Sequence, residues 1–536
     1  MTYRMFLRGA AVMALVAASS LTPQSAGAVQ VTAYKQAVAE NLSGDDQVAA
    51  FYRERGFEPV WTGGTEADLE RRTALLEALS MAQHHGLPAS RYNADALLSR
   101  MATVRSGFDR GALEVALTEL YLDFARDLQT GIIDTPSRVQ REIVREIPRR
   151  DARYYLDGLL SDSPRGFMAS LVPQSQEYAR LMQAKMRLEH TIAHGGWGAP
   201  VASGKYEPGD TGANVVALRD RLIVMGYLDR TVTATYDTSL TEAVRAFQEA
   251  HGLTVDGVAG GATLEQINIG PQERLKSVIV AMERERWINK PEGLGQRHIL
   301  VNLTDFNARI FDDGKLTFET RSVVGHQELD RQTPEFSDEM DHMVINPSWF
   351  VPRSIIVREY LPKLRSNPGA VSHLEIVDSR GRVVSRNQSF AGYSERSFPF
   401  SMRQRPGPRN ALGTVKFMFP NKHNIYLHDT PAKDLFSREV RTYSHGCVRL
   451  NDPHDFAYAL LAKQTDDPVG FFQAHLRSGA ETRVNLEQPV PVHLIYRTAF
   501  TTPKGQVQYR RDVYGRDAAI WDALSAAGVE IGGVRS

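Results

Sequence analysis

The apolar positions change rhythm along the chain. Between residues 33 and about 195 they recur every three or four places. In "DRGALEVALTELYLDFARDLQTG", Leu113, Leu117, Leu120, Phe124 and Leu128 share one helical face, and Gly131 ends the run. In "TEADLERRTALLEALSMAQHHG", Leu69, Leu76 and Leu79 mark a second face. Such stripes predict helical core and no chemistry. "HGGWGAPVASG" (194–204) is rich in glycine and small residues and predicts a linker. Residues 205–270 form a compact unit of three short helices. Val215, Leu218 and Leu222 mark the first, Leu240, Ala243, Val244 and Phe247 the second, and "GATLEQIN" the third.

From residue 298 the pattern becomes that of strands. "HILVNLTDFNARIF" and "KLTFETRSVVG" flank Asp312-Asp313-Gly314, a hairpin signal. "HMVINPSW", "GTVKFMF" and "NIYLHDT" are further short strands, and "VPVHLIYRTAFTTPKGQVQYRRDVYG" is a late hairpin. One polar insertion, about 351–410, carries its own helix, "RSIIVREYLPKLRSN". The predicted fold class is multidomain α+β. A helical N-terminal scaffold (29–200) precedes the three-helix module (205–270). A mainly β domain (298–480) holds the insertion, and a hairpin and helix at 481–536 complete the scaffold or the β domain.

A chain of 536 residues exceeds one ordinary core and agrees with several domains. Lys+Arg and Asp+Glu both count 63, so no footprint for nucleic acid or anionic membrane is expected. The first residues change the context. Arg4 and Arg8, an apolar run from Gly9 to Leu21, and Ala26-Gly27-Ala28 form a signal-peptide pattern over 1–28. The apolar run is too short to span a bilayer comfortably, and no other segment reads as transmembrane. The expected location is outside the cytoplasm, in the periplasm and at the cell wall. Exported cysteines usually pair. This chain has one, Cys447, and it cannot form an internal disulfide.

Cys447 stands in "RTYSHGCVRLND". A thiolate is the reactive form of cysteine, and a histidine within reach can take the thiol proton and return it to a leaving amine. Residues two apart in a strand share a face, so His445 and Cys447 can lie side by side. Gly446 permits tight backbone geometry, and the Gly446 and Cys447 amides can cradle an oxyanion. Ser444 can orient the His445 ring. Spacing alone leaves two readings open, an acyl-transfer site and a structural thiol.

Two resemblances narrow this. Residues 205–270 resemble the peptidoglycan-binding module of cell-wall enzymes. The likeness rests on Gly209-Asp210, Leu218, Leu222, Gly226-Tyr227-Leu228, Ala243-Val244, Phe247-Gln248, Gly252-Leu253, Asp256-Gly257 and Thr263-Leu264. "SHGCVRLND", with His428 placed so that residues 429–443 separate it from Ser444, resembles the L,D-transpeptidase signature. "VVGHQELDRQTPEF" and "PGPRNALGTVKFMFPN" resemble earlier blocks of that family, although "GHQELDRQT" is longer than the family's loop. The whole is similar to the large subgroup with scaffold domain, wall-binding module and capping subdomain.

The resemblance implies Cys447 as nucleophile, His445 as base, Ser444 holding the tautomer and Gly446 supporting the oxyanion site. It implies that His428 and Tyr426 line the pocket, that Arg449 contacts substrate or braces the site, that Asn451 fixes the loop on the substrate side, and that Trp349 forms an apolar wall. Cys447 would take the acyl group of a peptidoglycan tetrapeptide stem as a thioester, release D-alanine, and pass it to a neighbouring amine as a 3→3 cross-link. The insertion would be a lid, and its "RQRPGPR" run either meets stem carboxylates or is simply solvated. Stem peptides are the expected partners, with other wall-synthesis enzymes possible companions, and no cofactor or metal is expected. Hydrolysis of the stem, attachment of a protein to the wall, and non-catalytic wall binding are the alternatives. A zinc site at His423, His428, His445 and Cys447 is disfavoured because no H-E-x-x-H motif is present.

Overall fold

The computed structural model describes residues 32–42 and 46–531, so the expected leader at 1–28 lies outside the described residues. The N-terminal half is helical. Its longest helix, Gly107–Thr130, opens with a reciprocal cap. Asp109 N–H donates to Ser106 Oγ at 3.0 Å, and Ser106 N–H donates to the Asp109 carboxylate at 2.9 Å. Leu113, Leu117, Phe124 and Leu128 are buried, and Leu120 packs at the edge of the same core.

The helix Glu66–Ser80 buries Leu79 and packs Leu76 at the edge of the same core, but Leu69 departs from the expected face. Leu69 is 56% exposed, whereas Ala74, Leu75 and Leu79 are buried. The reason is a polar pair. Arg71 donates to Asp68 Oδ1 at 2.5 Å and to the Val60 carbonyl at 2.7 Å. Neutralised in this way, Arg71 occupies the inner face, and Leu69 is rotated outward.

The three-helix unit comprises Ala213–Val224, Thr238–Ala250 and Gly261–Ile267. Val215, Leu218, Leu222, Leu240, Ala243, Val244, Phe247 and Leu264 form its core. Gln248 is its polar pin: its amide donates to Asp256 Oδ1 at 2.8 Å and to Thr263 Oγ1 at 3.1 Å, and its carbonyl accepts from the Gly257 amide at 2.8 Å. The residues that carried the resemblance are thus largely internal. The segment 194–204 is tied down rather than free, with the Val201 N–H on Asn268 Oδ1 at 2.8 Å and Arg221 donating to the Gly198 carbonyl at 3.0 Å.

The helix Pro271–Trp287 joins the parts. Glu283, Arg284, Glu285 and Arg286 are all buried on it. Each is paired: Arg286 with Glu283, Arg284 with Glu335 and Asp517, Glu285 with Arg497. Such pairs are costly to break singly and fix the docking of the β domain on the helical half.

The β domain is built from β1 (Arg297–Asn302), β2 (Asn307–Asp312), β3 (Lys315–Gly325), β4 (Phe336–Ile345), β8 (Val415–Met418), β9 (Leu427–His428), β10 (Thr442–Ser444), β11 (Val448–Leu450) and β12 (Thr482–Ile495). The order is β10-β3-β11-β9-β8-β4-β12-β1-β2, and β2 also pairs with β3, so the ladder closes on itself. Asp313 (φ 50) and Gly314 (φ 74) make the two-residue turn between β2 and β3. β12 lies between β4 and β1, so the sheet extends past residue 480 into the C-terminal segment. A short hairpin, β13 (Ala499–Thr501) and β14 (Val507–Tyr509), and the helix Arg516–Ala526 pack with the helix Pro271–Trp287.

The insertion is a folded unit. β5 (Trp349–Phe350), β6 (Glu375–Val377) and β7 (Ser401–Gln404) form a separate sheet in the order β5-β7-β6. Its own core gathers Trp349, Ile356, Leu361, Leu364, Ile376, Phe390 and Met402. Between β5 and β6 the chain makes a π-helical turn, Ile356–Tyr360. Among the described residues no helix is long and apolar enough to cross a membrane.

Candidate active site

β9 and β11 run parallel, with Leu427 opposite Val448 and His428 opposite Arg449. Leu427, Val448 and Leu450 enter the core. Neighbouring side chains alternate in a strand, so Tyr426, His428, Cys447 and Arg449 emerge on the other face. All four line one cleft of about 890 Å³, together with Trp349, Ser444 and His445. Asn451 is not among its lining residues: it hydrogen-bonds Asp452 and the Arg321 carbonyl, and so braces the loop away from the cleft.

Cys447 is partly exposed, and its Sγ donates to the Asn424 carbonyl at 3.5 Å. Asn424 holds φ 54, a conformation that asparagine tolerates better than most residues and that aims its carbonyl at the thiol. Loss of solvent around the sulfur pushes the thiol up to about 11, against the pull of the Tyr426 backbone N–H and hydroxyl and the nearby charges of Arg449 and Lys416. Cys447 is therefore a neutral thiol at rest.

His428 is buried, and its Nδ1 meets the Asp429 carbonyl at 2.5 Å. A carbonyl only accepts, so Nδ1 carries the proton and Nε2 is a free base. Burial, and after it the Arg449 charge, bring the imidazole down to about 3, so it stays neutral. The Asp429 carboxylate is itself fixed by the Thr414 and Thr430 amides and by Lys433, at 2.7 to 2.9 Å.

Three residues have other partners than those expected. His445 does not engage the thiol: it is exposed, and its Nε2 donates to Glu359 Oε1 of the insertion at 2.6 Å. Ser444 does not hold an imidazole. Its hydroxyl donates to the Cys447 carbonyl at 2.5 Å and accepts the Gly446 N–H at 3.1 Å, stapling the turn that presents the sulfur. The Gly446 amide is consequently occupied and is no free oxyanion donor. Gly446 is nonetheless required: φ is 115, and a Cβ would stand 3.2 Å from Ile425 Cδ1. Thr333 Oγ1 donates to the Gly446 carbonyl at 2.7 Å and so ties the loop 326–333 to the same turn.

The sequence reading missed Asn424, Asp429, Lys416 and Glu359. Asp429 was visible as the neighbour of His428, but nothing in the sequence marks its carbonyl as the partner. Glu359 also pairs with Arg331 at 3.4 Å, and Arg358 pairs with Asp330, so the insertion is latched to the loop 326–333 at two points. Trp349 serves both as cleft wall and as part of the insertion's core. Among the described residues no group of three or more His, Cys, Asp or Glu is gathered as a metal-binding cluster.

Comparison with known proteins supports the same regions. Residues 296–469 match the family described as L,D-transpeptidase catalytic domain, 46–184 a scaffold domain, and 211–267 the family described as "Putative peptidoglycan binding domain". A Haemophilus influenzae protein described as "Putative L,D-transpeptidase" is 33% identical over 234 residues, which span 42% of this chain and 47% of that protein, about half its length. Solved L,D-transpeptidases from Xylanimonas cellulosilytica and Stackebrandtia nassauensis align at 16% and 14% identity, with TM-scores of 0.17 and 0.22. They cover 55% and 56% of this chain and 100% and 97% of their own. Superpositions at that level carry no weight, and the assignment rests on the sequence matches. Residues 296–469 belong to the L,D-transpeptidase catalytic-domain family, with a scaffold domain and a peptidoglycan-binding domain ahead of them.

Proposed function

We propose that this protein is an exported L,D-transpeptidase that forms 3→3 cross-links in peptidoglycan through a thioester on Cys447, with His428 as the base. The observation that carries the reading is one cleft that holds both Cys447 and an imidazole whose Nδ1 is taken by the Asp429 carbonyl.

In this mechanism His428 Nε2 takes the thiol proton as the sulfur attacks the carbonyl of the third residue of a tetrapeptide stem. The Cys447 amide is the oxyanion donor, since the Gly446 amide is used by Ser444. Arg449 and Lys416 place positive charge beside the developing anion. The tetrahedral centre collapses, the C–N bond to D-alanine breaks, and His428 returns its proton to that amine. A thioester remains. The side-chain amine of a neighbouring stem then attacks it, the C–S bond breaks, and the proton returns to the sulfur through His428. One amide replaces another, so no nucleotide is needed. The latched insertion limits competing water.

The test is intact-protein mass spectrometry after incubation with a carbapenem and, separately, with a disaccharide tetrapeptide. One covalent drug adduct on Cys447 and release of D-alanine with a 3→3 dimer are expected. No adduct at large drug excess contradicts the reading.

A further inference from the structure

A second cleft, of about 350 Å³, lies where the three-helix unit meets the β domain. It is lined by Gly252–Thr254 of that unit, by Asp305 and Phe306 beside β2, by Phe436–Arg441 leading into β10, and by Arg510 and Arg511. The joint is held by direct contacts. Thr254 N–H donates to Glu439 Oε2 at 3.0 Å, Arg510 donates to the Ala250 carbonyl at 3.2 Å, and the His251 and Tyr509 rings stack at 5.4 Å.

Five arginines line this cleft, Arg321, Arg438, Arg441, Arg510 and Arg511, against two carboxylates, Asp305 and Glu439. Both carboxylates are already used. Asp305 binds Arg510 and Arg309, each at 2.6 Å, and Glu439 binds Arg511 at 2.5 Å. The other three cations have no acidic partner among the described residues. Arg441 donates to three backbone carbonyls, those of Ser322, Arg438 and Phe306. Arg321 donates to the Phe436 carbonyl, and the exposed Arg438 side chain makes no hydrogen bond or ion pair. Burial of Arg441, with Asp305 opposing and Arg321 and Arg510 adding to the effect, brings that group down to about 10. In a chain with no net charge this is a concentrated surplus of positive charge.

We propose that this cleft binds carboxylates of peptidoglycan stem peptides, as a polymer-holding subsite distinct from the catalytic cleft. The proposal rests on the wall-directed function above. Arginine forks match carboxylates in pairs, and a tetrapeptide stem ends in the carboxylate of D-alanine. Position matters as well. Arg441 immediately precedes β10, which ends at Ser444 beside the catalytic turn. A strand of three residues spans about 10 Å, so a wall strand held here keeps its other stems near Cys447.

The experiment uses the full chain and three variants, Arg438→Glu, Arg438→Lys and the double variant Arg321→Glu/Arg438→Glu. Sedimentation with purified sacculi is measured before and after chemical amidation of their carboxylates. Arg438→Glu should weaken binding to native sacculi about tenfold, the worth of one charged hydrogen bond, and the double variant further, whereas Arg438→Lys keeps most of it. Amidated sacculi should bind wild type and variants equally weakly. Turnover of a soluble disaccharide tetrapeptide and carbapenem labelling of Cys447 should remain at wild-type level in Arg438→Glu, which separates this proposal from the catalytic one. Equal wild-type binding to native and amidated sacculi overturns it, as does stronger competition by inorganic polyphosphate than by the free tetrapeptide.

Discussion

Two histidines line the same cleft and live under different physics. His428 sits at the end of β9, buried, with its ring held by a backbone carbonyl and its second nitrogen free. His445 sits on the turn between β10 and β11, exposed, with its Nε2 held by a carboxylate of the insertion. Nearness in sequence favours His445, two residues from the nucleophile. The open Nε2 favours His428, nineteen positions upstream. A backbone carbonyl holds Nδ1 of His428 and leaves its Nε2 open in the cleft, whereas the Glu359 carboxylate holds Nε2 of His445 and ties that ring to the insertion. In the proposed mechanism the floor of the cleft carries the chemistry, and His445 belongs with the contacts that hold the insertion.

The largest effect that sharpens this contrast is removal of the sulfur. Cys447→Ala should abolish cross-linking and drug labelling together while sacculus binding persists, read by product analysis and sedimentation. Next, Ser444→Ala removes two hydrogen bonds that shape the turn and leaves the Cys447 carbonyl without its hydroxyl donor. It should cost about 1–3 kcal/mol in thermal unfolding and slow acylation, with no change in the pH dependence of the rate. Glu359→Gln should act on the lid alone. It removes the charge that holds His445 and Arg331, weakening both contacts, and should raise hydrolysis relative to transfer a fewfold, seen as more tripeptide per dimer. Equal hydrolysis in wild type and variant would separate His445 from the latch.

Protonation tests the same contrast through stability. Folded His428 stays neutral down to about 3, against 6.5 for an ordinary imidazole, so the unfolded state binds the extra proton. Stability should be intact above 6.5 and fall as pH drops through that window. Cys447 works in the opposite direction. Its folded value of about 11 lies above the ordinary 9.0, so stability is lost as pH rises above 9.0. Alkylation of the folded thiol should therefore climb with a midpoint well above that of a free cysteine.

The elements were legible because their signals are local. The stripe in Gly107–Thr130, the Asp313-Gly314 turn and the helices around Gln248 each follow from residues a few positions apart. Leu69 was misplaced because the buried Asp68–Arg71 pair overrides the count of leucines. The setting of His428 was not legible because it depends on a carbonyl, which every residue has, and on the parallel pairing of β9 with β11. Ser444 and Gly446 were read as open groups, but they satisfy each other. Glu359 lies 86 residues from its histidine and is found only through the fold of the insertion.

The most direct test of the account is the rate of Cys447 acylation by a carbapenem in His428→Gln and His445→Gln, followed by intact mass from pH 5 to 10. His428→Gln should lose about a thousandfold near neutrality, the worth of a general base, and recover part of it at high pH, where the thiolate forms unaided. His445→Gln should stay within about tenfold of wild type, as expected for loss of one partly exposed contact outside the chemistry, and keep the wild-type profile. The reverse pattern, with His445→Gln crippled and His428→Gln nearly intact, would contradict the assignment of His428 as the base.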